Sequence, residues 1–204
     1  MRIHIEGEAY MRAAKVEDIF NSIVDTIGFN SFTVNYSPLW CYAELLLEFG
    51  ILNLEEEISL ETKTTEIRNK KKRIRDLQLT IKILRNVLAR PLYKASKVEM
   101  PEPMKKILEY SSLILPTLKP QGELPPYLGE AILKVNDGID LFLNVAPEGC
   151  MVSSMGQLFT DSVLEVTGKK TMIKDLFTLN GEVNHEQLQM ALLKTLGPQR
   201  YYKQ

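Results

Sequence analysis

Apolar and polar residues alternate briefly over residues 2–5, and the alternation runs into Gly7 and Glu8, which reads as a short strand ending in a turn. The period then changes. Val16, Ile19, Phe20, Ile23, Val24 and Ile27 recur at three- and four-residue steps, one face of a helix that Gly28 is placed to close. Residues 31–36 are rich in β-formers and predict a second strand. Ser37 and Pro38 then suit the N-cap and first position of another helix, which carries residues 39–49 and is expected to stop near Gly50. The pattern to this point is β-α-β-α, the rhythm of a parallel sheet.

Residues from about 54 to 115 carry almost no strand signal. Glu55, Glu56, Glu57 and Glu61 precede a basic run through Lys63, Arg68, Lys70, Lys71, Lys72, Arg73 and Arg75. Ile67, Ile74, Leu77, Ile81, Leu84 and Leu88 share one face of a long helix expected to end near Pro91. A shorter helix over residues 103–115 is expected to pack back on it. The basic residues then fall on a solvated face. The α/β rhythm returns after Pro125 and Pro126, read as a turn. A helix over 129–136 ends at Asp137 and Gly138, and residues 139–145 make the strand most apolar in character, suited to the centre of a parallel sheet. A helix carrying Met155, Leu158, Phe159, Val163 and Leu164 closes at Gly168. A fourth strand over 171–179, a loop at Asn180 and Gly181, and a helix over 185–196 with Asn184 as its cap complete the chain.

The expected architecture is an α/β fold with a four-stranded parallel sheet and a helical insertion. Its boundaries fall at 1–53 for the first half, 54–124 for the insertion and 125–204 for the second half. Composition narrows what such a chain can do. With 45% apolar and 25% charged residues over 204 positions, it can bury a core, and a net charge of −1 gives no global pull toward nucleic acid or an anionic membrane. No apolar run approaches the roughly 18 residues of a membrane span, and the N-terminus reads as a strand and not a signal peptide. Two widely spaced cysteines are no disulfide framework, so a reducing, cytoplasmic setting is expected.

Ligands of open parallel sheets bind beyond the carboxyl ends of the strands. Cys150 stands there, behind Pro147, Glu148 and Gly149 and ahead of a helix. A helix N-terminus favours thiolate over thiol, so this cysteine suits an iron–sulfur ligand or a redox thiol; a small buried residue at a tight turn is the commoner alternative. Glu8, at another strand end, suits a ligand contact or a helix cap equally. His185 reads as a surface residue and Cys41, beside Trp40, as core. No Gly-x-Gly-x-x-Gly, phosphate-binding loop or Gly-x-Ser-x-Gly is present. Residue by residue, the chain reads as a ligand-binding or scaffold domain without a named reaction.

Gly7-Glu8-Ala9-Tyr10-Met11-Arg12, the later Pro126-Tyr127 and Gly129-Glu130-Ala131, and the block Asn144-Val145-Ala146-Pro147-Glu148-Gly149-Cys150-Met151 resemble segments of a known family. They are similar to the 2-hydroxyacyl-CoA dehydratase and benzoyl-CoA reductase subunits, and more closely to activase-like proteins whose C-terminal half belongs to that superfamily. The resemblance covers most of the chain. It implies a Rossmann-like fold, a [4Fe–4S] cluster and electron transfer to CoA thioesters. It also implies that the chain is the C-terminal part of a larger protein. Carried over by position, it makes Cys150 a cluster ligand, with Glu8, Pro147, Gly149 and Met151 around it. Glu148 stands where the family has an aromatic residue, Val152 where it has proline, and Asn180 where it has aspartate. The remaining ligands are expected from a preceding domain or a partner subunit. The competing expectation is a non-catalytic assembly domain, forming a defined homo-oligomer, that uses its helical insertion as an interaction surface.

Overall fold

The computed structural model of the chain describes residues 1–28, 31–119, 121–178 and 182–197. Its contacts divide it into two compact units, one formed by residues 1–39 and 106–204 and the other by Trp40–Lys105.

The first unit is a Rossmann-like α/β fold. β1 (Arg2–Gly7), β2 (Thr33–Tyr36), β3 (Leu141–Pro147) and β4 (Met172–Thr178) form one sheet in the order β2-β1-β3-β4, with every pairing parallel. The register is pinned where β1 and β3 begin. The Arg2 amide donates to Asp140 Oδ2 at 2.7 Å, and the Asp140 amide donates back to the Arg2 carbonyl at 2.9 Å. Side-chain alternation then sorts the sheet into two faces. Ile3, Ile5, Leu141, Leu143, Val145 and Leu176 pack on α1 (Ala9–Ile27) and α9 (His185–Leu196). Phe142 and Ile173 meet Tyr127, Leu128, Ala131, Ile132 and Val135, which lie on α6 (Leu124–Asn136). Helices therefore cover both faces, as a parallel sheet requires.

The strand order reverses between β1 and β3, so the chain's switch point lies at their carboxyl ends. Gly7 occupies φ +121°, and a side chain there would meet the Val145 backbone. Only glycine permits this approach, which lets the Glu8 amide donate to the Val145 carbonyl at 2.9 Å before α1 begins.

The second unit is helical. α2 (Trp40–Leu60) passes through Gly50 instead of stopping there, and the glycine faces Leu77 of α3 (Thr64–Ile83). A π-helical turn (Leu84–Ala89) follows, and α4 (Arg90–Ser96) continues past Pro91. The expected stop at Pro91 does not occur: proline sits in the first turn of α4, and the widened turn before it relieves the clash with the carbonyl four residues back. The extra residue also moves the inward position. Ala89 is buried and Leu88, expected on the packed face, is turned out to solvent.

Four further expectations change. Ser37 does not cap α2, which starts at Trp40; its hydroxyl hydrogen-bonds Glu130. Pro125 and Pro126 lie in the first turn of α6 rather than in a turn before it, since those positions need no amide hydrogen. The expected helix over 103–115 is α5 (Met104–Ser111), followed by turns. The helix expected to close at Gly168 is two, α7 (Met151–Leu158) and α8 (Thr160–Thr167), broken at Phe159. The loop at Asn180 and Gly181, and Leu179 before it, lie outside the described residues. No helix among the described residues is long and apolar enough to cross a membrane.

Candidate functional site at the carboxyl edge of the sheet

The link from β3 to α7 is a tight turn. The Cys150 amide donates to the Pro147 carbonyl at 3.1 Å, and Gly149 takes φ +78° at the third position, which a turn of this form reserves for glycine. Cys150 is then the N-cap residue of α7; its carbonyl accepts from the Ser154 amide at 3.0 Å, and its thiol makes no capping bond. It is free and half-buried. Met151, the first residue of α7, is exposed. The structure thus brings Glu8, Pro147, Gly149, Cys150 and Met151 to the ends of two adjacent strands at the switch point. Around that edge Tyr36, Leu39 and Met151 present apolar side chains to solvent.

Beneath the edge lies a polar layer that the expectations from the sequence did not include. His4 and Glu6 alternate with Ile3 and Ile5, so they point to the α6 face. In register, His4, Phe142 and Ile173 form one cross-strand row, and Glu6, Asn144 and Asp175 form the row nearer the carboxyl ends. All three members of the second row are buried, Asn144 completely. Its amide nitrogen donates to Asp175 Oδ1 at 2.6 Å, and its amide oxygen accepts from Ser153 Oγ of α7 at 3.1 Å. α6 adds Tyr127 and Glu130. Gly156 of α7 lies against the Tyr127 ring, where any side chain would collide with it. That ring also packs edge-on against Phe142, with centroids 5.7 Å apart.

His4 is 2% exposed, and its Nε2 sits between two carboxylates, 3.5 Å from Glu130 Oε1 and 3.6 Å from Glu6 Oε2. Neither of its ring nitrogens has a hydrogen-bond partner within the described residues. Lys134 Nζ lies 3.8 Å from Glu130 Oε1. Burial raises the Glu130 carboxyl above its ordinary range, and the Glu6 charge adds to the rise, while His4, Lys134 and the Ser37 hydroxyl oppose it. Burial also raises Asp175, against the hydrogen bond from Asn144 and the charge of Lys174. The Tyr127 phenol is raised as well, by burial first and then by Asp175 and Glu6. Carboxyls held toward the protonated form can donate as well as accept hydrogen bonds.

The sequence held a signal for this layer: polar residues at alternate positions of otherwise apolar central strands. A thiolate-bound cluster is a different matter. A [4Fe–4S] cluster is held by four cysteines; Cys150 belongs to the sheet unit and Cys41, which is buried, to the helical unit. No group of three or more His, Cys, Asp or Glu side chains among the described residues is arranged to hold a metal ion. These residues do not make up a cluster's ligand set. No protein-family model, no curated protein and no solved structure matches this chain.

Proposed function

We propose that the sheet unit is one half of a redox site of the 2-hydroxyacyl-CoA dehydratase-related kind. In this reading it contributes the Cys150 thiolate to an iron–sulfur centre at a junction with another domain or subunit that supplies the other ligands. The observation that carries the reading is the position of Cys150: it is the N-cap residue of α7, three residues past the inner strand β3, at the switch point. The exposed apolar side chains of Tyr36, Leu39 and Met151 near the strand ends suit a surface that another chain covers. A CoA thioester is the substrate class that the family resemblance attaches to such a junction.

The test is iron and acid-labile sulfide per chain, measured on protein purified without oxygen from cells that make it naturally, with any retained partner. Iron that disappears in Cys150→Ser while the partner stays bound is the expected result. Iron absent from both samples, or unchanged in the variant, overturns the reading.

A further inference from the structure

The helical unit sorts the cations of its basic run by face. Lys70 reaches the acids that precede α3: its Nζ lies 3.2 Å from Glu57 Oε2 and 3.5 Å from Glu61 Oε2. Arg85, in the π turn, is held in the same way by buried Glu44 at 2.7 Å. Ile67, Ile74, Leu77 and Ile81 share the side of the helix on which Lys70 lies. At about 100° per residue, Arg68, Lys71, Lys72, Arg75 and Lys82 then fall within one outward stripe about 100° wide and about 21 Å long. All five are exposed, and none has an ion-pair partner among the described residues. The other residues of α3 inside the stripe are Thr64 and Leu79. Glu66 and Asp76 are the only acids over residues 64–97. Asp76 lies about 40° beyond the edge of the stripe and Glu66 about 120° beyond it.

The net charge of −1 over the whole chain hides this uncompensated row. We propose that the stripe binds the phosphate backbone of a nucleic-acid duplex without reading its sequence. A duplex carries one negative charge per ~1.7 Å of its axis and releases condensed counterions when a row of fixed cations replaces them. Contacts to phosphate position a protein and carry no sequence information. Thr64 and Leu79 offer no amide, guanidinium or ring with which to read a base edge, and no aromatic face on which an unpaired base could stack. An acidic protein segment would instead form exposed ion pairs, which add little. A second copy of this chain offers Glu55, Glu56 and Glu57, which cover a single turn of α2, and Lys70 already holds Glu57. A helix lying on an anionic bilayer buries an apolar face, and within the stripe Leu79 alone is apolar. This inference concerns the helical unit and stands independently of the reading of Cys150.

The test is fluorescence anisotropy of labelled duplexes of about 24 base pairs, two unrelated sequences each of DNA and RNA, titrated with the full chain over roughly 50–200 mM salt. Five neutralised phosphates predict a slope of log K against log salt near about −4.5 on DNA, alike for both sequences. Arg68→Gln/Lys72→Gln/Arg75→Gln should bring that slope to about −2 and weaken binding at least about tenfold at the lowest salt, with unchanged circular dichroism. Lys63→Gln/Arg73→Gln/Lys97→Gln removes the same charge from exposed positions off the stripe and should leave the slope within about half a unit of wild type. No binding of either kind of duplex at the lowest salt, a strong preference between sequences, or equal effects of the two triple variants overturns the inference. Two further outcomes also overturn it. Sedimentation with phosphatidylserine vesicles that the stripe variant abolishes, without duplex binding, assigns the row to a membrane. A dimer by light scattering that the stripe variant dissociates assigns it to a second copy.

Discussion

Replacing Arg85 with methionine should cost the helical unit most of its stability. Glu44 is 1% exposed, and its two oxygens accept from Arg85 Nη1 and from the Met104 amide at 3.0 Å. Arg85 also ties down the Pro101 and Glu102 carbonyls and stacks over Trp40, 5.5 Å from the ring centroid. Removing the guanidinium leaves a buried carboxylate with a single donor, a change that costs about 3–5 kcal/mol. A unit of roughly 65 residues has an unfolding entropy near 0.14 kcal/mol/K, so the same loss amounts to a fall of about 20–35 °C in its melting temperature. It is comparable to the unit's whole stability, about 3–10 kcal/mol. The assay is a double-mutant cycle with Arg85→Met, Glu44→Leu and the pair, followed by circular dichroism at 222 nm in urea. The double variant should recover most of the loss, since an apolar pair of similar volume stands in for a buried ion pair at little net cost. A loss below about 1 kcal/mol for Arg85→Met, or single effects that simply add, would refute the argument that Glu44 depends on Arg85.

Three other outcomes follow from the sheet unit. Gly7→Ala should cost about 3 kcal/mol or more, because both the left-handed backbone at φ +121° and the close approach to Val145 exclude a side chain; an unchanged urea midpoint would count against that approach. Gly156→Ala should cost about 1–3 kcal/mol by pushing the Tyr127 ring off its seat, and should change the near-ultraviolet tyrosine signal more than the far-ultraviolet one. Glu130→Gln should change how stability varies with pH. The folded state raises this carboxyl above its ordinary 4.5, so its contribution is full below that pH and is lost as pH rises through the folded value. The urea midpoint of the glutamine variant should therefore gain on wild type as pH rises above about 4.5. A constant difference across that range would show that Glu130 titrates as an unfolded carboxyl does.

The four strands and the parallel sheet were legible because each strand is a short β-rich run bounded by turn residues, with helical spacing between them. The turn at Gly149 was legible too, since Pro147, Glu148, Gly149 and Cys150 directly follow a run of apolar residues. What was not legible depended on contacts made across the fold. Gly50 reads as a helix stop until Leu77 is seen to pack on it, and Leu88 reads as core until the π turn shifts the register by one residue. Ser37 and Pro38 read as a helix start on local chemistry alone, whereas the serine hydroxyl is taken by Glu130, more than ninety positions away. His4, Glu6, Asn144 and Asp175 lie on three strands that only the sheet register brings into neighbouring rows.

The polar layer and the Cys150 turn are two parts of one construction, joined through Ser153. α7 starts at the residue after Cys150, and its first turn delivers Ser153 Oγ to the Asn144 oxygen; the same amide group then holds Asp175. Because Ser153 orients the amide, its nitrogen must face Asp175 and its oxygen must face α7. The direction in which α7 leaves the strand end is therefore set from below by β3 and β4, as well as by the Gly149 turn. Any tilt of α7 that moved Cys150 would have to break the Ser153 bond or drag Asn144 off Asp175, and Gly156 on the Tyr127 ring resists the same motion from the side of α6. A carboxyl whose proton affinity is raised by burial thus lies two hydrogen bonds from the helix that follows Cys150. A change of charge at Asp175 alters the strength of the bond it accepts from Asn144, and with it the hold on Ser153. The Asn144 amide is the link between the buried row under the strand ends and the helix that begins after Cys150.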